Sequence, residues 1–452
     1  MKSSKVMAAL VTLGLTAAVA TPAMALENQF SGSFTSFFDV SNYSAAGNDG
    51  FKNEGGVAPA GTKLQDKKNA TGLQKNAPTE NYFVQRVRLG YTAKASDDVK
   101  LVTKFELDYN WYGNNSYGNS RGGGAALGAD GINLETKNLY LDLNVAKGLN
   151  AKIGMQGYND SFKGLIFDAD MAGILLTHEY DKASVTAGFF RFNDSNSTTI
   201  GKNTQDMISL DGKYNISKDI KVGAAYYYIY DNRAVVAPTT TVTVPDTGPA
   251  KVHTLGLNAE GNVGPVAISG FALAQFGDRT AALKAKGYSL NVGAKMPLSG
   301  GTARTELLYA AGGKNALYTP ATGEGGAFYD NEMIILGRDK NATTIDNAIV
   351  FDANNYEQGV IFGSIGYDYP ITTKLSGSVN AGFAAVAKGA GPSTSDYLGT
   401  ELNCEANYKL MPTVTLGARA GYVVLGGYFK NVDAGKNPDN PYDVKLLAKF
   451  AF

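Results

Sequence analysis

The sequence predicts an all-β protein, a transmembrane antiparallel β-barrel of about eighteen strands, with sixteen as the alternative. Three observations predict it. Apolar and polar residues alternate with a period of two in segment after segment of about ten residues, the spacing that sends successive side chains to opposite faces of a strand. The polar face of several segments carries full charges, which a dry core would penalise and a water-filled lumen would not. Short connections alternate with long ones, as expected of short periplasmic turns and long extracellular loops.

The chain begins with Lys2 and Lys5, an apolar run from Val6 to Val19, and Ala23-Met24-Ala25, a small-x-small cleavage site. Residues 1–25 therefore read as a secretory signal peptide, and 26–452 as the barrel. The apolar run is shorter than the roughly 20 residues a spanning helix needs. Gln29 to Ser41 alternates, with Phe30, Phe34, Phe38 and Val40 opposite Ser31, Ser33, Thr35, Asp39 and Ser41. A polar stretch at 45–79 reads as a long loop. Tyr82 to Lys94 resumes as a strand, with Phe83, Val87, Leu89 and Tyr91 opposite Arg86, Arg88 and Lys94. After a turn at Ser96-Asp97-Asp98, Val99, Leu101, Phe105, Leu107, Tyr109 and Trp111 oppose Lys100, Lys104, Glu106, Asp108 and Asn110. A Lys or Arg at mid-membrane on the lipid face costs about 2–4 kcal/mol, so the charged face is the inner one.

The same pattern continues downstream. Leu139, Leu141, Leu143 and Val145 face away from Asn138, Tyr140, Asp142 and Asn144; Ile208, Leu210 and Tyr214 from Asp211 and Lys213. Val222, Ala224, Tyr226, Tyr228 and Tyr230 oppose Lys221, and Leu290, Val292 and Ala294 oppose Ser289, Asn291 and Lys295. Leu398, Leu402, Cys404 and Ala406 oppose Glu401, Asn403, Glu405 and Asn407, and Leu416, Ala418, Ala420 and Tyr422 oppose Arg419. Segments 184–193 and 265–276 alternate too weakly for their faces to be assigned. Long connections fall near 113–132, 194–204, 231–250, 312–354 and 425–440, short ones near 147–149, 181–183, 217–219, 262–265, 297–301, 370–373 and 410–412. Aromatics at segment ends (Trp111, Tyr112, Tyr226 to Tyr230, Tyr367, Tyr369, Phe450, Phe452) suit girdles at two membrane interfaces.

Composition narrows the function classes. With 18 % charged and 44 % hydrophobic residues the chain looks soluble, because alternation averages out of hydropathy windows. Loss of Lys2 and Lys5 with the signal leaves 39 basic against 41 acidic residues, so charge gives no case for nucleic acid. A single cysteine, Cys404, excludes an internal disulfide and a cysteine metal cluster. His178 and His253 are the only histidines, with no nucleophile–acid partners nominated, so no enzyme, metal or cofactor is expected. Asp168-x-Asp170 lacks the further oxygen ligands of a calcium loop, and Gly122-Gly123-Gly124 lacks a phosphate-binding context.

The last segment, Tyr442 to Phe452, sets Tyr442, Val444, Leu446, Ala448, Phe450 and Phe452 against Asp443, Lys445 and Lys449. It resembles the closing strand of bacterial outer-membrane β-barrels, which implies that Phe450 and Phe452 are the signal for the barrel insertion machinery. Tyr158 to Gly173 is greasier than the other connections, with Phe162, Leu165, Ile166, Phe167 and Met171. Here the chain resembles the porins, whose third long loop folds into the lumen. The resemblance implies a multi-pass protein of the Gram-negative outer membrane, set among lipid and lipopolysaccharide, and leaves monomer or homotrimer open.

From these readings the expected function is a porin, a passive diffusion channel for small hydrophilic solutes and ions. The alternative is a scaffold barrel, such as the sheath of an electron conduit across the outer membrane. Arg86, Arg88, Lys100, Lys104, Arg419, Lys445 and Lys449 come together as a basic wall once the barrel closes. Asp160, Asp168 and Asp170, with Lys163, are expected to present an acidic face to it from the folded-in loop.

Overall fold

The computed structural model describes residues 26–43, 73, 75–112, 134–193, 203–233, 248–320, 329–339, 348–355, 357–389, 395–430 and 436–452. The expected signal peptide at 1–25 lies outside these residues, as do most of 45–79 and the side chains of 108–112. The strands are β1 (Glu27–Ser41), β2 (Glu80–Ser96), β3 (Val99–Tyr112), β4 (Leu134–Ala146), β5 (Leu149–Asn159), β6 (Asp168–Glu179), β7 (Ala183–Asn193), β8 (Gln205–Asn215), β9 (Ile220–Asp231) and β10 (Ala250–Val263). They continue as β11 (Val266–Asp278), β12 (Tyr288–Leu298), β13 (Gly301–Ala310), two short strands β14 (Asp330–Asn331) and β15 (Arg338–Asp339), then β16 (Val360–Pro370), β17 (Leu375–Ala385), β18 (Tyr397–Met411), β19 (Val414–Leu425) and β20 (Tyr442–Ala451).

All but β14 and β15 join one 18-stranded antiparallel sheet. Each strand pairs with its successor, and β20 pairs with β1 in a register that sets Phe34 against Phe450 and Phe38 against Leu446. That last pairing closes the barrel, so the sheet has no edge to leave backbone groups unpaired in lipid. The two weakly alternating segments are full strands, β7 and β11.

The outer face is apolar and, among the described residues, has nothing packed on it. Leu257, Leu290, Ile365, Leu402 and Leu446 are each more than half exposed. The inner face carries the polar set, including Asp39, Glu106, Ser209, Asp211, Asn291, Glu401 and Arg419. One expected face is wrong. Leu398 is fully buried on the inside, whereas Leu402 is exposed, because the pairing of β17 with β18 slips between Ala384 and Ala385. Gly399, with φ +151°, takes up that irregularity, and the side-chain parity reverses across it.

Among the described residues two connections fold inward at length, and Tyr43 and Leu73 of the β1–β2 link and Tyr428 and Phe429 of the β19–β20 link join the same apolar cluster. The link between β5 and β6 is only residues 160–167, so Tyr158 belongs to β5, and Asp168 and Asp170 belong to β6. Its Phe162, Leu165, Ile166 and Phe167 are fully buried against the inward-facing Tyr227 and Phe271. The connection from β13 to β16 also turns inward, burying Met333, Ile334, Ile335, Leu336, Ile349 and Val350 in the same apolar cluster. That segment reads from sequence as an ordinary long loop.

Candidate functional site

The site is the lumen, and its shape follows from how these two segments are held. In the 160–167 loop, Lys163 (φ 61°) and Gly164 (φ 78°) are both left-handed, which curls the backbone around one carboxylate. Asp160 Oδ1 accepts from the N–H groups of Phe162 (2.6 Å) and Gly164 (3.0 Å), and Oδ2 from those of Ile166 (2.5 Å) and Phe167 (2.9 Å). Burial pushes the Asp160 carboxyl up to about 6, against the pull of those four donors, so it is ionised at neutral pH. Ser161 ties the loop to the barrel, its N–H donating to the Tyr227 hydroxyl at 2.8 Å and its Oγ to Asp211 at 2.7 Å.

The β13–β16 segment is held in the same manner. Glu401 on β18, fully buried, accepts from the N–H groups of Ile334 (2.8 Å), Ile335 (3.0 Å) and Leu336 (2.6 Å). Arg419 on β19 meets Asp339 of β15 at 2.6 Å, and Arg304 on β13 meets Glu332 at 3.1 Å. The two inward segments converge on Glu306 of β13. Its Oε1 lies 2.5 Å from Lys163 Nζ, accepts from the Tyr329 hydroxyl at 2.6 Å, and accepts from Asn291 Nδ2 at 2.8 Å. Burial and this carboxylate raise Tyr329 well above the usual phenol range, so it stays a donor.

The expected basic wall divides into two parts. On β2 and β3, Arg86, Arg88 and Lys104 do stand together. Arg86 lies 3.4 Å from Glu106, and Arg88 pairs with the same carboxylate. Lys137 joins them, 3.7 Å from Glu106 and 2.6 Å from Asp170. A recess of about 260 Å³ opens here, lined by Arg88, Lys104, Lys137, Tyr140, Lys152 and Asp170 among others. Among the described residues no carboxylate comes within ion-pair distance of Lys104, and Lys152 sits 5.6 Å from the centre of the Tyr140 ring. Lys100 stands nearer the turn, opposite Asp142 of β4.

On β19 and β20 the bases are covered rather than open to the lumen. Arg419 is 4 % exposed, between Asp339 and Glu405; Lys445 is 9 % exposed, 3.0 Å from Asp443 and 3.6 Å from Asp39. They are directly opposite each other across β19 and β20, and the β15 carboxylate that docks there offsets two adjacent like charges. Lys449 is half-buried beside them. Phe450 and Phe452 face outward with stacked rings 5.4 Å apart, and Phe452 exchanges two 3.0 Å backbone hydrogen bonds with Gly32.

The acidic face expected from the loop is not arranged that way. Asp160 is spent on its own backbone, and Asp170 belongs to the basic recess through Lys137. Carboxylates do line a second recess, of about 350 Å³, where Glu332, Asp339, Asp368 and Glu405 sit among Asn331, Asn403 and Arg419. Lys137, Lys152, Glu306 and the capping role of Glu401 escaped the sequence reading. Strict alternation puts Lys137 outside with Leu139, but the register slips between Lys104 and Phe105 and turns it inward. A usable signal existed for the β13–β16 segment: Met333-Ile334-Ile335-Leu336 is as greasy as Phe162 to Phe167.

No protein-family model matches the chain, and no curated protein matches its sequence. Solved structures resemble it in fold. Pseudomonas aeruginosa OccK5 (OpdH) aligns over 94 % of this chain and 98 % of its own, with TM-score 0.53 and 13 % identity. OpdL of the same organism aligns over 94 % and 99 %, with TM-score 0.55 and 11 % identity. The outer membrane protein OpdK, solved with vanillate, aligns over 94 % and 98 %, with TM-score 0.53 and 10 % identity. The chain thus has the closed 18-stranded fold of bacterial outer-membrane porins.

Proposed function

We propose that the protein is an outer-membrane channel for passive diffusion of small hydrophilic solutes, and that its basic recess favours anionic ones. The apolar outer face supports residence in a bilayer, and the closed sheet supports a hydrated interior. The recess between β2 and β6 carries the preference, because Lys104 and Lys152 line it and, among the described residues, no carboxylate lies within ion-pair distance of either. OpdK was solved with vanillate, an aromatic carboxylate, and a solute of that kind suits a recess that pairs lysines with Tyr140.

A sheath for an electron-carrying partner is the weaker reading. Such a barrel needs a clear bore, and here two apolar segments are packed inside it. The likeness to outer-membrane barrels favours a channel over an enzyme.

The test is the reversal potential of the purified protein in a planar bilayer under a salt gradient. A unit charge ~7 Å from a passing ion in water contributes about 0.6 kcal/mol, roughly threefold in occupancy. Lys104→Gln with Lys152→Gln should therefore shift permeability toward cations by close to ~10-fold. An unchanged reversal potential would sink the anion preference; absence of any conductance would sink the channel.

A further inference from the structure

The cations of the basic recess are not equivalent. Arg88 is paired with Glu106, and Lys137 lies 2.6 Å from Asp170. Lys104 and Lys152 line the same recess and, among the described residues, have no carboxylate within ion-pair distance. Asp142 stands opposite Lys152 in the sheet, but its Oδ1 accepts from the Asn150 amide at 2.6 Å. The Lys152 ammonium lies instead 5.6 Å from the centre of the Tyr140 ring. Two positive charges thus stay available in a recess of about 260 Å³.

The strand registers fix where these two charges stand. Lys104 of β3 is opposite Asn138, and Lys152 of β5 is opposite Asp142, so the lysines flank β4 on its two sides. Tyr140 is the inward residue midway between Asn138 and Asp142, which puts its ring between them. Four residues along a strand span about 13 Å and two strand spacings about 10 Å, so the lysine Cα atoms stand roughly 16 Å apart. Both side chains line the one recess, and they enter it from opposite ends of the ring. Gly154 of β5 is opposite Tyr140, and a Cβ there would meet Tyr140 Cβ at 3.1 Å, so the glycine leaves the ring its place. Leu175 of β6 adds a second apolar surface. Across the recess the order is cation, apolar floor, cation.

A solute with one carboxylate meets only one of these lysines at a time. A solute with a carboxylate at each end of a flat or extended carbon skeleton meets both, and its carbons lie on Tyr140 and Leu175. We propose that Lys104, Tyr140 and Lys152 form a subsite for such two-headed dicarboxylates. The subsite deepens the reading of the lumen as a path for anionic solutes and rests on it. A second ion contact at about 4 Å adds at least about fivefold in affinity, even with the screening of bulk water.

Benzoate, benzene-1,2-dicarboxylate and benzene-1,4-dicarboxylate would each be titrated against the purified barrel, with binding read by ligand-observed NMR. The two diacids carry the same charge and differ only in where the second head points. The 1,4-isomer should bind at least about fivefold more tightly than either of the others. Lys104→Gln or Lys152→Gln alone should weaken the 1,4-isomer about fivefold and benzoate by no more than about twofold, since either lysine can serve a single head. Lys100→Gln, nearer the turn, should weaken all three anions alike. Equal affinity for the two diacids, which needs no variant to observe, overturns the subsite, as does an unchanged affinity for the 1,4-isomer in both recess variants. Conductance and reversal potential in plain salt decide the broader reading separately. A barrel that ranks the ligands as expected but passes no current, or prefers cations, would refute that reading and keep the subsite.

Discussion

Replacing Asp160 by asparagine is expected to free the loop that occupies the lumen. The two side chains have the same shape, so the change removes chemistry rather than volume. In the wild-type loop both carboxylate oxygens accept two backbone N–H groups each. Asparagine keeps one accepting oxygen and turns an NH₂ group toward the other pair, so two buried N–H donors face a donor. Each unsatisfied buried donor costs about 1–3 kcal/mol, and the remaining bonds lose their charge assistance. A penalty of about 4 kcal/mol follows, roughly three decades in the population of the open loop. Hydrogen exchange of the peptide covering 158–170, followed by mass spectrometry, reads that population. Amides 162, 164, 166 and 167 should exchange at least ~100-fold faster, with the strand amides of β5 unchanged. Single-channel current should grow noisier in parallel. Asp168→Asn serves as the control, since that carboxylate lies on β6 and not in the loop. Exchange at wild-type rates in Asp160→Asn would refute the view that this carboxylate holds the loop.

Three further outcomes follow from the same geometry. Glu401→Gln should expose the amides of Ile334, Ile335 and Leu336 to exchange, because an amide leaves part of that N–H set unpaired; protection retained at all three would contradict the assignment. Glu306→Gln removes the charge partner of Lys163 and should raise open-channel noise from both inner segments at once, a result that loosening of only one would disprove. Lys445→Met removes the cation beside Asp39 and Asp443 at the β20–β1 seam and should lower the temperature at which the folded barrel loses its heat-resistant gel migration, by an amount matching about 3–5 kcal/mol. An unchanged transition would mean that the seam does not depend on that cation.

The barrel itself was legible because a strand with one apolar and one polar face carries a period of two. Val99 to Leu107 and Tyr442 to Phe452 read correctly residue by residue for that reason. The reading failed where the period breaks. At Lys137 and at Gly399 one strand holds an extra residue, and everything assigned by counting parity across it changes sides. It also failed where the inside is not wet. Phe271 and Leu273 on β11 and Phe190 on β7 point inward, yet they are apolar, because the inner segments pack on them. The two strands whose faces could not be assigned are among those that back the folded-in chain, with β8 and β9 beside them. Residues such as Asp160 and Glu401 carry no local signal at all, since their partners are backbone N–H groups that any sequence supplies.

Both inner segments solve the same problem in the same way, which bears on how the interior of the barrel can move. A loop that enters a lumen brings backbone donors away from bulk water, and its apolar side chains pull them further in. One buried carboxylate that gathers several donors answers this with a single residue: Asp160 takes four and Glu401 takes three. The difference lies in where the carboxylate sits. Asp160 belongs to the loop that it holds, so that loop is a closed unit that can move as a body. Glu401 belongs to the barrel, so the β13–β16 segment is fixed to the wall at that point and again at Arg419. Glu306 then fastens the self-contained loop to the wall-fixed segment through Lys163 and Tyr329. The contacts of the 160–167 loop to the rest of the chain run through Ser161, Lys163 and the apolar packing of Phe162, Leu165, Ile166 and Phe167. Variation in the width of the channel should therefore originate in that loop, with the β13–β16 segment as the fixed surface against which it moves.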